Sequence, residues 1–292
     1  MFNGRLEFIN RLRLIIFCRS GASQIENKKY LCITLCILVI MILYYPKRAL
    51  QILRHKGFIE LSKASFKFIR RHLGLSKRDV SRYRLYDSYT KRLRGYRAIA
   101  DPFKLVLASP DQITRYSSAF GKWESVGLIA GGNWDKEASP LKEMMKYQAI
   151  KQRFEKGLSW EETGIIDYHY ERLSNSDRDS VDGCSSRSEY RQWYSEIDRL
   201  YNDIRDNGYD LEKHSPTDSI AVHIGRDGEL IFAGSGCHRL CICKMLDINK
   251  IPVWIRARHK KWQDTREQIH KHGIGSSLDQ ELCGHPDLQD VI

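Results

Sequence analysis

The sequence predicts an α+β fold: a small mixed sheet with helices, carrying a large helical insertion and preceded by a membrane-spanning helix and a basic amphipathic helix. Three observations carry this expectation. Between Ser219 and His259 an alternating strand, a tight turn, a returning strand, a glycine bend, a short helix and a further strand follow one another. Between residues 116 and 218, apolar residues recur at helical steps in three stretches, Leu141 to Lys156, Trp160 to Leu173 and Ser188 to Asn207. Near the N-terminus, Tyr30 to Tyr45 is a run without charge, Gly or Pro.

In order from the N-terminus, residues 1–29 form a basic segment. The run 30–45 is flanked by Lys28-Lys29 and by Pro46-Lys47-Arg48. A bilayer takes about 20 residues and at least about 17, so this run is just short, but its terminal tyrosines suit the interface and its flanking cations can snorkel. We read it as a single-pass anchor. A buried core helix and a cleaved signal peptide are the alternatives, the latter disfavoured by the long leader and the lack of a small-residue cleavage site. Basic residues on both flanks leave the orientation open; the folded domain is expected on the cytoplasmic side. Leu6 to Cys18, apolar and basic by turns, suits the membrane surface.

Residues 46–98 form a basic juxtamembrane region. Leu50, Leu53, Phe58, Leu61, Phe66, Ile69 and Leu73 keep a helical rhythm among Lys and Arg, as on a helix lying on anionic lipid. Arg82, Arg84, Lys91, Arg92, Arg94 and Arg97 then interleave with Tyr83, Tyr86, Tyr89 and Tyr96, a mixture that single-stranded nucleic acid also accepts. The net charge of +12 resolves into +4 for residues 1–45 (6 basic, 2 acidic), +13 for 46–97 (16 and 3) and −5 for the remainder (26 and 31). The basic character therefore belongs to the N-terminal third. Membrane lipid is the expected partner of that third, and the acidic folded part argues against nucleic acid.

A folded domain is expected over residues 99–262, its insertion over about 116–218, with a polar tail from 263, a helix that frays toward Ile292. Phe103 to Ala108 suits a first strand, and Ser109-Pro110-Asp111 is an N-cap with Pro at the first helical position. Ser159 with Glu162 has the spacing of a capping box at the start of Trp160-Glu161-Glu162-Thr163. Ile220 to Ile224 alternates, Arg226-Asp227-Gly228 turns, and Glu229 to Ala233 returns. Gly234-Ser235-Gly236 then bends the chain into a helix opening near Cys237, and Ile251 to Ile255 is a further strand.

Several groups in this frame suggest chemistry. Gly234 and Gly236 let the backbone approach a ligand closely, while His238 and Arg239 stand on the first turn of the helix. Helix N–H groups, the positive end of the dipole and a guanidinium make a phosphate-binding corner. Arg239 would fork onto phosphate oxygens and His238 would donate to the same group. The bland alternative has Arg239 bridging to Asp227 or Glu229. In Gly131-Gly132-Asn133-Trp134-Asp135, Asp135 would hold Mg²⁺ or accept a proton, Trp134 would wall a base or sugar, and Asn133 would assist. Against this stands a tight turn with an anchoring Trp. Arg187, at the helix start Cys184 to Glu189, would reach a phosphate. Of eight cysteines, Cys237 at the helix mouth has the setting of an activated thiol, or of a small residue fitting the turn. No cysteine spacing suggests zinc.

The pattern DGxLxxxxGxHRLxxxKxLxxxxIPV across Asp227 to Val253 resembles the core of the ParB/sulfiredoxin superfamily. Gly236-Cys237-His238-Arg239 is similar to the Gly-Cys-His-Arg signature of sulfiredoxins. The match covers about forty residues and the first strand; a wider pattern resembles uncharacterised archaeal and bacterial proteins with the same core. The resemblance implies nucleotide binding at Gly234, Gly236, His238 and Arg239, with ATP or CTP and Mg²⁺. A nucleotide-dependent phosphotransferase or nucleotidase follows, with the insertion supplying the acceptor pocket. The alternatives it leaves are a non-catalytic nucleotide-responsive or nucleic-acid-binding module, and sulfiredoxin-type redox repair through Cys237.

Overall fold

The structure, a computed structural model, describes residues 80–176, 179–211, 215–273, 282 and 284–292. The expected N-terminal segment, anchor and first basic helix lie outside the described residues. Among the described residues no helix is long and apolar enough to cross a membrane. The chain divides into two compact units, 1–94 and 95–292. In the first, helix α1 (Val80–Leu93) has Lys91 and Arg92 in its last turn, where cations suit the dipole, and Lys91 pairs with Asp87 at 2.6 Å.

The second unit is mixed α/β, as the sequence predicts at that level. Its seven strands are β1 (Leu105–Ala108), β2 (Arg115–Tyr116), β3 (Leu128–Ala130), β4 (Ser139–Pro140), β5 (Ile220–Ile224), β6 (Leu230–Phe232) and β7 (Ile251–His259). They join one sheet in the order β1-β7-β5-β6-β2-β4, with β3 also on β7. Strand β7 organises the sheet. One edge takes β5 in parallel, while the other takes β1 antiparallel along its first half and β3 parallel along its second. Paired on both edges, it is buried throughout; Ile251 to Ile255 form a continuous apolar run, as suits a strand covered on both faces, while Arg256, Arg258 and His259 are buried polar residues in its second half.

The helices are α2 (Met145–Lys156), α3 (Ile165–Ser174), α4 (Arg187–Asn207), α5 (Cys237–Met245) and α6 (Lys260–His272). The first three occupy the three expected helical stretches of the insertion, although Trp160 to Gly164 is a turn rather than helix. Ser159 and Glu162 exchange the reciprocal bonds of a capping box at 2.7 and 3.2 Å. The Ser109-Pro110 start gives a short 3₁₀ turn, with Ser109 Oγ accepting from the Asp111 N–H. One continuous core joins Ile220, Val222 and Ile224 of β5, Val253 and Ile255 of β7, and Leu240 and Ile242 of α5 to Ile150, Ile165, Tyr190 and Tyr194 of the insertion. The insertion thus packs directly on α5, the helix that opens from the glycine bend.

The helix expected at the start of the C-terminal tail forms, but the end near Ile292 is packed rather than frayed. Residues 263–272 complete α6, and Asp287 and Leu288 are buried. The reason is electrostatic. Asp287 accepts from Arg258 Nε at 2.9 Å and Trp262 Nε1 at 2.9 Å, and lies 3.3 Å from Arg266. A polar stretch that reads as solvated supplies the counter-charge for two buried arginines.

Candidate functional site

The glycine bend forms as the sequence implies. Gly225 donates to Glu229, closing the hairpin over Arg226-Asp227-Gly228 at 2.9 Å. Gly234 and Gly236 both lie in the left-handed region, at φ 84° and 78°. At Gly236 a Cβ would stand 2.9 Å from the Cα of Ile220, so the position is closed to any side chain. Beyond it α5 begins at Cys237, and its first N–H groups have no helical carbonyl to meet.

His238 and Arg239 leave this mouth in different directions. The His238 ring stands edge-on to Trp193 at 5.0 Å and to Tyr194 at 5.8 Å, both on α4, and its buried Nε2 has no hydrogen-bond partner. Burial, then the charge of Lys146, push its pKa down to about 3, so it is a neutral imidazole at neutral pH. Arg239 turns to the 3₁₀ turn Pro216–Asp218, donating to the Asp218 carbonyl and, at 3.3 Å, to its carboxylate. Neither Asp227 nor Glu229 receives it. Glu229 pairs with Arg115 at 3.0 Å.

On the His238 side the insertion assembles a polar group that sequence reading did not single out. Lys146 of α2 donates to Asp182 at 2.8 Å. Asp182 Oδ2 also lies 3.5 Å from Nδ1 of His169 on α3, whose Nε2 meets the Tyr194 hydroxyl at 2.9 Å. The His169 ring stacks on Tyr190 at 5.1 Å. Burial, then Lys146, lower His169 to about 4. Burial pushes the Asp182 carboxyl up, but the charge and hydrogen bond of Lys146 outweigh it and hold it below its usual value. Burial raises the Tyr194 phenol. Asp182 and Gly183, at φ 53° and 85°, form a tight turn bridged by Val181 and Cys184, which is how the carboxylate reaches Lys146. These residues are scattered from 146 to 194, so no spacing betrays them. One signal was readable: His169 shares the apolar face of its helix with Ile165 and Ile166, both buried.

The other expected residues stand apart. Asp135, expected as a base or Mg²⁺ ligand, is held by Arg226, whose Nη2 and Nε reach its two oxygens at 2.7 and 2.8 Å while the Arg226 N–H adds a third bond at 2.9 Å. Those hydrogen bonds keep its carboxyl far below the ordinary range. Both oxygens are thus spent on a structural pair. Asn133 accepts from the same guanidinium at 3.2 Å. Trp134 is buried against Phe120, His223 and His259 and walls no open site. Arg187 pairs with Asp167 and lies over the Tyr170 ring at 4.6 Å. Cys237 is buried, its Sγ 4.0 Å from that of Cys241, whose thiol hydrogen bond lowers Cys237 while Cys241 itself is raised. Among the described residues no three His, Cys, Asp or Glu side chains group as a metal site.

The fold and site together define a mixed α/β domain in which the glycine-bounded start of α5 packs against a lysine-bearing helical insertion. Comparison with protein-family models, curated proteins and solved structures returns no match.

Proposed function

We propose that this chain is a single-pass membrane protein whose folded unit follows the ParB/sulfiredoxin plan and binds a nucleoside triphosphate, ATP or CTP with Mg²⁺, at the first turn of α5. The observation that carries the reading is the packing of His238 of that turn on Trp193, over whose ring Lys146, paired with Asp182, lies at 5.5 Å. Phosphate oxygens would take the free N–H groups of the turn, with Lys146 as the cation on one side and Arg239 on the other. His238, neutral at pH 7 and turned toward Trp193 and Tyr194, would form a wall of this site rather than share the phosphate with Arg239. Arg239 would first leave Asp218, giving up a bond to its carbonyl and a 3.3 Å pair with its carboxylate, which is 70% exposed. With Asp135 committed to Arg226, Mg²⁺ would be held chiefly by the phosphates. The acceptor side of a phosphotransferase or nucleotidase would be the insertion's face, where charge developing on a transferred phosphoryl group meets Lys146.

The burial of Cys237 against Cys241 favours this reading over redox repair through a solvent-facing thiol. The test incubates the full chain with ATP, CTP and GTP in Mg²⁺, following thermal stabilisation and phosphate release. Arg239→Ala should weaken binding by about 10- to 100-fold, the equivalent of one charge-assisted contact, whereas Cys237→Ser should leave it intact. Stabilisation without phosphate release would indicate a nucleotide-responsive switch. If no nucleotide stabilises the chain, the reading fails.

A further inference from the structure

The sheet face turned away from α5 carries a buried cation beside a buried imidazole. Ile220, Val222 and Ile224 point toward the helices, while His223, where the β5–β7 pairing shifts register, meets Phe120 and Trp134 on the opposite face. On β7, Val253 and Ile255 likewise face the helices while Trp254 and Arg256 do not. Arg256 is 2% exposed, yet among the described residues it pairs with no carboxylate. Its Nη2 donates to the carbonyl of Ala233, just before the glycine bend, and its Nε has no acceptor. The guanidinium carries five N–H donors, so most of its capacity is unspent. His223 is fully buried with both ring nitrogens unpartnered.

Such an arrangement is costly, because a buried charge wants a counter-charge and a guanidinium does not escape by losing its proton. Burial alone draws Arg256 down to about 10, which leaves it a cation at neutral pH. The charge of Arg256, after burial, helps hold His223 at about 3. An apolar side chain of similar volume would fill the same space at lower cost. What an arginine adds there is the ability to receive an anion.

The cover over this pair has two parts, the buried Trp134, 5.7 Å from His223, and an outer segment. Residues 117–124, between β2 and β3, cross above it with Ser118, Ala119, Gly121, Lys122 and Glu124 exposed. Two aromatic side chains pin the segment. Phe120 stands edge-on to His223 at 5.6 Å, and Trp123 meets Trp254 at 6.4 Å. Its backbone reaches the sheet through Ser117, which donates to Phe232 at 3.0 Å.

We propose that Arg256 and His223 form the floor of a binding site for a small oxyanion, a phosphate or a carboxylate, which enters as residues 117–124 lift away and is then closed in by Phe120. The guanidinium would take two oxygens in its fork and the imidazole N–H a third. The site lies on the opposite face of the sheet from α5 and does not depend on the nucleotide reading.

The test uses the full chain with inorganic phosphate, with acetate and with chloride as control, at constant ionic strength. Thermal unfolding and tryptophan fluorescence are the readouts, since Trp123, Trp134 and Trp254 surround the site. Phosphate or acetate should raise the unfolding temperature saturably, by about 5–11 °C at a hundredfold excess over Kd, and whichever does so identifies the class. Arg256→Met should fold, unfold at an equal or higher temperature, and lose the anion response. Arg256→Lys should keep a response weakened at least tenfold. Phe120→Ala should speed anion entry while leaving Arg256 in place. No saturable response to either anion would overturn the proposal, as would a response that Arg256→Met retains. So would an Arg256→Met chain that unfolds at lower temperature, because Arg256 would then be a structural cation. Loss of nucleotide binding in Arg239→Ala with the Arg256-dependent anion response intact would separate the two sites.

Discussion

Replacing Asp287 with Asn tests whether the C-terminal residues are part of the folded unit. The carboxylate is 2% exposed and receives Arg258, Arg266 and Trp262. Asparagine keeps the shape and one acceptor oxygen but removes the charge, leaving two buried guanidinium groups around a neutral amide. Removing one partner from such a buried arrangement costs about 3–5 kcal/mol. In a unit of this size each kcal/mol lowers the unfolding temperature by about 2–4 °C, so a fall of about 6–20 °C is expected. Asp290→Asn is the matched control. That carboxylate is 24% exposed and, among the described residues, pairs with Arg266 at 3.0 Å, so its loss should cost less than that of the fully buried Asp287. Thermal unfolding followed by circular dichroism at pH 7 reads both. If Asp287→Asn shifts the transition by no more than Asp290→Asn does, residues 284–292 contribute no buried counter-charge and the electrostatic account of the tail is refuted.

Acid should destabilise the protein well above the carboxylate range. His169 is held at about 4 and both His223 and His238 at about 3, against 6.5 for an unperturbed imidazole. The unfolded chain therefore binds about three more protons near pH 5. Stability should fall as pH falls below 6.5, by about 4 kcal/mol per pH unit near pH 5; a flat urea midpoint between pH 6.5 and 5 would contradict it. Gly236→Ala should cost about 2–4 kcal/mol, combining a left-handed backbone with the 2.9 Å approach to Ile220, and should show as a lowered urea midpoint. Gly228→Ala should be comparably harmful, since its Cβ would meet the Trp262 ring at 2.6 Å; unchanged unfolding would mean the ring moves freely.

Much of the domain was readable because its signals are local. Alternation in Ile220 to Ile224, the turn at Arg226 to Gly228, the two glycines before Cys237 and the apolar steps of the insertion each fix a short piece of backbone through sterics and periodicity. The same locality placed His238 and Arg239 correctly on the first turn of α5 but said nothing about their side chains. Successive helical residues point about 100° apart, and what each meets belongs to distant elements: Trp193 and Tyr194 for one, Asp218 for the other.

Charged residues were the least readable, because an ion pair is made in space rather than along the chain. Asp135 looked like a chemical group until Arg226, ninety-one residues on, took both its oxygens. Asp287 looked like solvated tail until it met Arg258 and Arg266. Composition and periodicity set the mixed α/β class, the helical insertion and the glycine-bounded helix mouth. Only the packing decided which cations are neutralised and which, like Arg256, are buried without a counter-charge, since burial and partner choice are settled together when the sheet and its covering segments close.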